Sequence, residues 1–250
     1  MPVVTTIEDK TARLSIQRPA KRNTLDIEMC NELKKQLLEC NEDNAVRSIV
    51  ISGETNVFCA GLDIDEMLNK PQEILKAFQE VIDALDYVEK PILAAVTGPA
   101  VAEGVALLYH CDLVFCGEHA LFALPNIALG KTPLYGISLL AVKSAGYKLA
   151  AQKILLSEPI SPSEAIAMGI INHVLEDDKV LPQTFLAATR LGNLPPKALN
   201  ATKRLLKAAY LSGTKEQKEL EQETFDQLVD GAEMKEAFNA FMEKRKPNFD

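Results

Sequence analysis

The sequence predicts an α/β fold, a spiral of ββα units followed by a C-terminal helical region. Three observations lead to this prediction. Strand-like and helix-like segments alternate up to Ser161, and strands recur in pairs before a helix. A single parallel sheet would require longer and more regular crossovers than these segments provide. Beyond Ser161 the segments are almost all helical.

The first elements are predicted from hydrophobic periodicity. The segment Thr11–Ile16 alternates as a strand, and a helix opens near Asp26, which suits a helix N-cap. The continuous β-branched run 48–52 is typical of a strand covered on both faces. A second helix is predicted over 72–89. The apolar stripes of the two helices are Ile27, Cys30, Leu33 and Leu37, then Ile74, Phe78, Val81, Leu85 and Val88.

The next elements follow Pro91, which disfavours helix at the residue before it. Ile92–Val96 is predicted as a strand, and an apolar helix covers about 104–109. Two strands follow near 111–116 and 120–124. Strand, strand, helix is therefore a repeating unit.

The C-terminal region is predicted to be helical. Ser161 and Glu164 form a capping box with proline at the first helical position, and Gly169 ends that helix. Further helices are predicted over 178–191, 196–210, 215–229 and 232–246. The last two are polar but carry apolar stripes that include Phe225, Leu228, Phe238 and Phe241. These stripes need a partner surface, and self-association is the simple explanation.

Length and charge exclude several classes of protein. With 250 residues, 47% of them hydrophobic, the chain can bury one sizeable core with a helical appendage. The formal net charge of -8, with Lys and Arg scattered, argues against nucleic acid as a partner. Five cysteines without a Cys-x-x-Cys pair indicate reduced thiols, a cytoplasmic location and no zinc site. No signal peptide and no membrane-spanning run is expected.

Two glycine-bearing loops, 58–64 and 98–104, each follow a predicted strand. Glycine lets backbone approach a ligand closely, and the first N–H groups of a following helix are unpaired. Such N–H groups stabilise developing negative charge. Either loop alone is also explained as an ordinary tight turn. The two together indicate a site.

These loops belong to a set of segments with a specific order and spacing. The segments are Phe58-Cys-Ala-Gly-Leu-Asp-Ile64, Pro91-Ile-Leu-Ala-Ala-Val-Thr-Gly-Pro-Ala100, Cys111-Asp112, Phe122-Ala-Leu-Pro-Asn-Ile-Ala-Leu-Gly130 and Phe241-Met-Glu-Lys-Arg-Lys246. Along nearly its whole length the chain resembles the enoyl-CoA hydratase/isomerase, or crotonase, family. The segment 194–199 and the tail after it are most similar to the Δ3,Δ2-enoyl-CoA isomerase branch.

The resemblance implies a crotonase-like spiral core over 1–192 that binds an acyl-CoA substrate. It implies a helical region over 193–250 that forms a homotrimer or a dimer of trimers. The thioester carbonyl would accept hydrogen bonds from the backbone N–H groups of Leu62 and Glu103. CoA is carried by the substrate, so no separate cofactor and no metal is expected. The implied CoA contacts are Ala60, Leu62, Asp63, Ile64, Phe241 and Lys244.

Lys21 and Arg22 are further candidates for contact with the CoA phosphates. They follow the first predicted strand, and a solvated turn explains them about as well. Met67, Leu68, Leu134 and Tyr135 are expected to line the acyl pocket.

The sequence departs from the family where a proton would be transferred. The positions that match the family's two catalytic glutamates are Ala106 and Asn126, and Leu134 occupies the alternative place for an acid. None of these side chains is a general base. The usual acid is therefore missing.

Two other side chains are candidates for the missing role. Glu103 stands where the family commonly has glycine, and its carboxylate either reaches into the pocket or points away and contributes only its N–H. Tyr135 either hydrogen-bonds the substrate or simply lines the pocket.

Other motifs carry less weight. Gly130-Lys-Thr132 resembles the end of a phosphate-binding loop but lacks the earlier glycine. Asp63, Asp65 and Glu66 form an acidic cluster that more simply opens the following helix than binds a metal. The three histidines are assigned structural roles.

Two functions stay open on these observations. The first is an enzyme that isomerises or hydrates enoyl-CoA thioesters through an enolate. The second is an acyl-CoA-binding protein that has kept the scaffold and lost the acids. RNA binding is a third possibility, which the acidic charge balance disfavours.

Overall fold

The computed structural model describes residues 2–229 and 231–249. The strands are β1 (Val3–Glu8), β2 (Thr11–Ile16), β3 (Ser48–Gly53), β4 (Ile92–Val96), β5 (Ala100–Val101), β6 (Leu113–Gly117), β7 (Phe122–Ala123) and β8 (His173–Leu175). The helices are α1 (Ile27–Glu42), α2 (Ile64–Asn69), α3 (Pro71–Tyr87), α4 (Glu103–His110), α5 (Ile137–Ala145), α6 (Tyr147–Leu155), α7 (Pro162–Ala167), α8 (Asp177–Gly192), α9 (Pro196–Tyr210), α10 (Thr214–Asp226) and α11 (Ala232–Glu243).

The main sheet has the strand order β1-β2-β3-β4-β6-β8. β1 pairs with β2 in antiparallel orientation, and every later pair is parallel. All residues of β3 and β4 are buried, and for β3 its continuous β-branched run predicts this. One face carries Val50, Leu93 and Phe115 against Val180 of α8, and the other face carries Ile51 into the larger core.

A second, shorter ladder makes the fold a spiral. β5 and β7 pair in parallel, and isolated parallel bridges join Leu25 to Leu62 and Cys59 to Ala100. Each turn of the chain therefore adds one strand to the main sheet and one short segment to the second ladder before a helix returns. The predicted spiral of ββα units is confirmed, although its main sheet is also largely parallel.

Several local predictions are confirmed by side-chain contacts. The Asp26 carboxylate caps α1 by accepting a hydrogen bond from the Met29 N–H at 2.8 Å. Both bonds of the capping box between Ser161 and Glu164 are present, and Gly169 has a φ of +67°. The acidic cluster opens α2, because Asp63 Oδ1 accepts from the N–H groups of Asp65 and Glu66.

Other elements differ from the sequence expectation. β1 and the pair α5 and α6 are not predicted by the pattern. The apolar run 137–155 forms two helices because Gly146, with a φ of +75°, separates them. The strand expected from 111 begins at Leu113. The Asp112 N–H still donates to Ile92 O at 2.8 Å, but the Ile92 N–H is taken by the Asp112 carboxylate, at 2.7 Å, and not by a backbone carbonyl.

The C-terminal helices fold back on their own chain. Phe225 and Phe238 are fully buried in the main core, so the surface that they need is not supplied by another subunit. The Glu221 carboxylate of α10 accepts from the N–H groups of Gly136 and Ser138 at the start of α5. Phe241 stays 57% exposed.

Within the described residues, no helix combines the length and apolarity needed to cross a bilayer.

Candidate active site

The two glycine-bearing loops lie side by side at the ends of β3 and β4. The N–H groups of Phe58 and Cys59 donate to Pro99 O at 3.0 and 3.3 Å, and the Val101 N–H donates to Cys59 O at 2.9 Å. Gly104 makes the approach possible, since a Cβ atom there would lie 2.3 Å from Cys59 O. The backbone pairing holds the N–H groups that follow in each loop within one site.

The positions of Leu62 and Glu103 follow from two left-handed backbone conformations. Gly61 has a φ of +95° and Ala102 has a φ of +51°, which is strained for alanine. Glu103 is the first residue of α4, so its N–H has no acceptor within the helix. In the part of the chain that the structure describes, no acceptor pairs with this N–H.

The Glu103 side chain turns into the site. Its carboxylate is 4% exposed, and Glu103 Oε2 accepts from the Leu62 N–H at 3.3 Å. Its other oxygen, Oε1, lies 2.9 Å from the Lys131 ammonium, which is equally buried. A Cβ atom at position 61 would lie 2.8 Å from Glu103 Oε2, so glycine leaves the space that the carboxylate fills. One of the two expected amides is thus bound to an internal anion.

A cavity of about 370 Å³ opens over these groups. Its walls are largely apolar and combine the two loops, α2, the 3-10 turn Ile127–Leu129 and α11. The lining residues are Ala60, Leu62, Ile64, Met67, Val101, Ala102, Glu103, Pro125, Ala128, Leu129, Lys131, Ala237, Phe238, Ala240, Phe241, Arg245 and Pro247. An apolar cleft with a few convergent polar groups is the usual form of a small-molecule site.

A second cavity of about 10 Å³ lies on the inner side of Glu103. Ala106, Asn126, Leu134 and Tyr135 line it. Among the described residues that line the two cavities, Glu103 is the only acid. Ala106 and Asn126, which the resemblance matches to the family's catalytic glutamates, therefore face this space without a carboxylate.

Two polar atoms beside the small cavity are buried without a hydrogen-bond partner among the described residues. They are Asn126 Oδ1 and the Tyr135 hydroxyl. Burial, and then the nearby charge of Glu103, raise the pKa of Tyr135 well above its usual range. The phenol is neutral and available to donate a hydrogen bond.

The predicted CoA contacts fall into two groups. Ala60, Leu62, Ile64 and Phe241 line the large cavity, as does the pocket residue Met67. Asp63 does not, because it is buried as the cap of α2 and its Oδ2 lies 2.8 Å from the Arg18 guanidinium.

The remaining candidates lie outside the cavity wall. Lys21 is exposed and pairs with Asp65 at 2.9 Å, and Arg22 and Lys244 are exposed residues with left-handed backbone. Leu68 is also exposed and does not line the pocket. None of these four residues contacts the cavity, so their predicted roles in binding CoA or the acyl chain stay predictions.

Lys131 lines the cavity and pairs with Glu103, and it is not among the site residues predicted from the sequence. The motif Gly130-Lys131-Thr132 resembles only an incomplete phosphate-binding loop. A lysine within apolar sequence, together with one carboxylate in an unusual position, is the signal that predicts a buried ion pair. Arg245 was missed as well; it lines the cavity and pairs with Glu236 and Glu243.

Comparison with known proteins finds relatives over nearly the whole chain. A family model described as "Enoyl-CoA hydratase/isomerase" matches residues 6–250. The chain is 30% identical over 244 residues to the 2,3-dehydroadipyl-CoA hydratase of Escherichia coli (strain K12), covering 97% of this chain and 96% of that protein. It is 31% identical over 238 residues to the mitochondrial enoyl-CoA hydratase of Pongo abelii, covering 94% and 82%.

Solved structures have the same fold. The enoyl-CoA hydratase/isomerase from Pseudoalteromonas atlantica T6c has a TM-score of 0.93 at 28% identity, covering 100% of both chains. Pseudomonas aeruginosa OdaA has a TM-score of 0.92 at 35% identity, covering 96% of this chain and 98% of that chain. These matches do not single out the isomerase branch indicated by 194–199. They show that this chain belongs to the enoyl-CoA hydratase/isomerase family.

Proposed function

We propose that this protein is an enzyme that acts on enoyl-CoA thioesters through an enolate. The observation that supports this proposal best is the pair of backbone N–H groups, of Leu62 and Glu103, at the inner end of an apolar cavity. Two such donors stabilise the negative charge that develops on a thioester oxygen when a proton leaves the neighbouring carbon. Losing one donor typically raises the barrier by about 3 kcal/mol.

The Glu103 carboxylate is proposed as the group that moves the proton. It is the only acid among the described residues that line the two cavities beside it. In double-bond isomerisation, Glu103 takes a proton from C2 of a 3-enoyl-CoA and returns it to C4 of the dienolate. One carboxylate is enough for both steps, which favours isomerisation.

Hydration is the other reaction under this proposal. In hydration, water adds a hydroxyl to C3 and a proton to C2. The relatives reported above from Escherichia coli and Pongo abelii are named hydratases. A pair of uncharged polar groups, Asn126 and Tyr135, is available beside Glu103 to hold the added group.

For the CoA part of the substrate, we propose contacts with Ala60, Leu62, Ile64 and Phe241, which line the cavity. Lys21 and Arg22 lie on the 3-10 turn that precedes α1, and the Ala60 N–H donates to Arg22 O at 3.2 Å. This contact keeps the exposed basic side chains near the same loop. It supports their assignment to the CoA phosphates.

A second candidate function is acyl-CoA binding without turnover. The observation that favours it is the double engagement of the Glu103 carboxylate by Lys131 and the Leu62 N–H. A carboxylate held on both oxygens is a poor base until one oxygen is released.

Incubation of the purified protein with 2-enoyl-CoA and 3-enoyl-CoA, followed by chromatography, tests the enzymatic proposal. We expect conversion of at least one substrate above the buffer rate. Calorimetry with the same ligands separates the alternatives, because tight binding without conversion supports the binding protein. Absence of binding would contradict both functions.

A further inference from the structure

The Glu103 carboxylate accepts a hydrogen bond from the Leu62 N–H, a donor that the proposed chemistry assigns to the thioester oxygen of the substrate. Glu103 Oε2 accepts from the Leu62 N–H at 3.3 Å, while the Glu103 N–H, in the same residue, stays unpaired among residues 2–229 and 231–249. An anionic oxygen of the protein itself, Glu103 Oε2, therefore lies where the thioester oxygen would bind. The thioester oxygen must displace Oε2 before it can bind both amides.

Lys131 holds the other oxygen of this carboxylate. Its ammonium lies 2.9 Å from Glu103 Oε1, and both side chains are 4% exposed or less. A buried ion pair of this kind is costly to break from one side, because an unpaired charge is left in the interior. The ion pair with Lys131 thus fixes Oε1, whereas the hydrogen bond between Oε2 and the Leu62 N–H can be replaced by one between this N–H and the substrate.

The backbone around Lys131 is fixed by the same parts that form the cavity. The Lys131 N–H donates to Asn126 O at 2.9 Å. Gly130 has a φ of +67°, and a Cβ atom there would lie 2.7 Å from the Cα atom of Met234 in α11. The helix that covers the cavity therefore packs directly on the turn that presents the ammonium.

We propose that the Glu103 carboxylate competes with the thioester carbonyl for the Leu62 N–H, and that Lys131 is the positioning residue for this exchange. When the carbonyl oxygen takes the N–H, Lys131 retains Oε1. The released Oε2 then lies beside the carbon that loses its proton. This inference rests on the proposed function and adds a residue to it. Substrate binding itself frees the base.

Binding measurements separate the competition from general effects on the pocket. The double variant E103G/K131M removes the competing carboxylate and its cation together, keeps the backbone N–H at position 103 and leaves no unpaired buried charge. Butyryl-CoA carries a thioester carbonyl, and free CoA does not. In calorimetry we expect the Kd of butyryl-CoA to fall about tenfold and the Kd of free CoA to stay unchanged.

Free CoA also reports whether the variant is folded. If E103G/K131M does not bind free CoA, the isosteric neutral pair E103Q/K131M takes its place, with a smaller tightening expected because an amide oxygen accepts more weakly than a carboxylate. Equal changes for the two ligands, or no change for butyryl-CoA, would overturn the competition. A wild-type protein that binds neither ligand would contradict the proposed function instead.

Kinetics test the positioning role of Lys131 separately. K131M should lower kcat about hundredfold, because the base is no longer held in place after displacement. K131R keeps a cation for Oε1 and should recover most of that loss. A K131M enzyme with wild-type kcat, or a K131R enzyme as slow as K131M, would show that Lys131 serves the fold alone.

Discussion

At the residue scale, the site depends on how closely two loops approach each other. Gly104 stands at the closest point, where a Cβ atom would lie 2.3 Å from Cys59 O. Backbone cannot yield to this contact as a flexible side chain would. The approach aligns the Leu62 and Glu103 amides, so a change at Gly104 affects stability and site together.

We predict that G104A lowers the free energy of unfolding by about 3 kcal/mol, the upper part of the range for overpacked interiors. Chemical denaturation measures this. G213A is the matched control: Gly213 is left-handed with a φ of +78°, and a built Cβ there would meet only Leu139 Cδ2, at an ordinary 3.7 Å, so only backbone strain of about 1 kcal/mol is added. Equal losses in the two variants would argue against a steric clash at Gly104.

In the proposed reaction, Glu103 is the residue that transfers the proton. We predict that E103Q, which keeps the shape and the backbone N–H, lowers turnover by at least about hundredfold. Steady-state kinetics with the preferred enoyl-CoA measures this loss. Because E103Q leaves Lys131 without its anion, E103Q/K131M serves as the control and should be as slow. Undiminished turnover in E103Q would exclude the carboxylate as the base.

At the scale of elements, a cluster of charges ties four helices together. Asp86 of α3 lies 2.7 Å from the His110 ring of α4, 3.5 Å from Lys207 of α9 and 3.2 Å from Lys218 of α10. His110 Nε2 also lies 3.1 Å from Tyr135 O, so the cluster reaches the loop beside the small cavity. The structural role assigned to His110 is confirmed by these contacts.

The stability provided by this cluster depends on pH. Burial raises the pKa of Asp86, but the His110 ring, Lys207 and Lys218 lower it by more, so the net pKa lies well below the ordinary 3.8. A depressed pKa in the folded state gives stability that is present above 3.8 and is lost as pH falls through the folded value.

We predict that D86N lowers the free energy of unfolding by about 3 kcal/mol at neutral pH. The difference from wild type should shrink as pH falls below 3.8, where the carboxylate of the unfolded state takes up a proton while the native carboxylate is still charged. Urea unfolding over a pH series measures this. D83N, on the same helix but 62% exposed at its side chain, should cost less than about 1 kcal/mol. A pH-independent effect of D86N would contradict the electrostatic account.

At the scale of the whole molecule, the C-terminal helices serve the chain's own core first. α10 caps the start of α5 through Glu221, and α11 closes the large cavity with Phe238 and Phe241. α9 is different, since Leu205 and Leu206 are 72% and 68% exposed. Exposed apolar side chains on an amphipathic helix are typical of an interface.

We predict that the protein is a homotrimer or a dimer of trimers. Analytical ultracentrifugation should give a mass of three or six chains of 27.4 kDa each. L206E places a charge on the exposed face of α9 and should weaken assembly. L186E places the same charge on exposed Leu186 of α8 and is the control for a charge on a different helix. A monomer at all concentrations would contradict the prediction.

The sequence predicts those features that depend on local pattern. The strands β3 and β4 follow from short apolar runs, and the cap of α1 follows from a single aspartate. The assignment of the Leu62 and Glu103 amides to the thioester comes from the family resemblance and stays a prediction. Features that depend on distant approach were missed. Lys131 meets Glu103 across 28 positions of the chain, and Phe238 finds the core of its own chain. The hydrophobic periodicity of a sequence does not show which residues from distant parts of the chain come into contact.

The most direct test of the account is deuterium exchange into a saturated acyl-CoA. Butyryl-CoA cannot be isomerised or hydrated, so incorporation of deuterium at C2 from D2O reports enolate formation alone. With wild-type protein, mass spectrometry should show exchange well above the buffer rate, and E103Q should bind the ligand without this exchange. Tight binding of butyryl-CoA by the wild type with no exchange above buffer would contradict the proposed enolate chemistry.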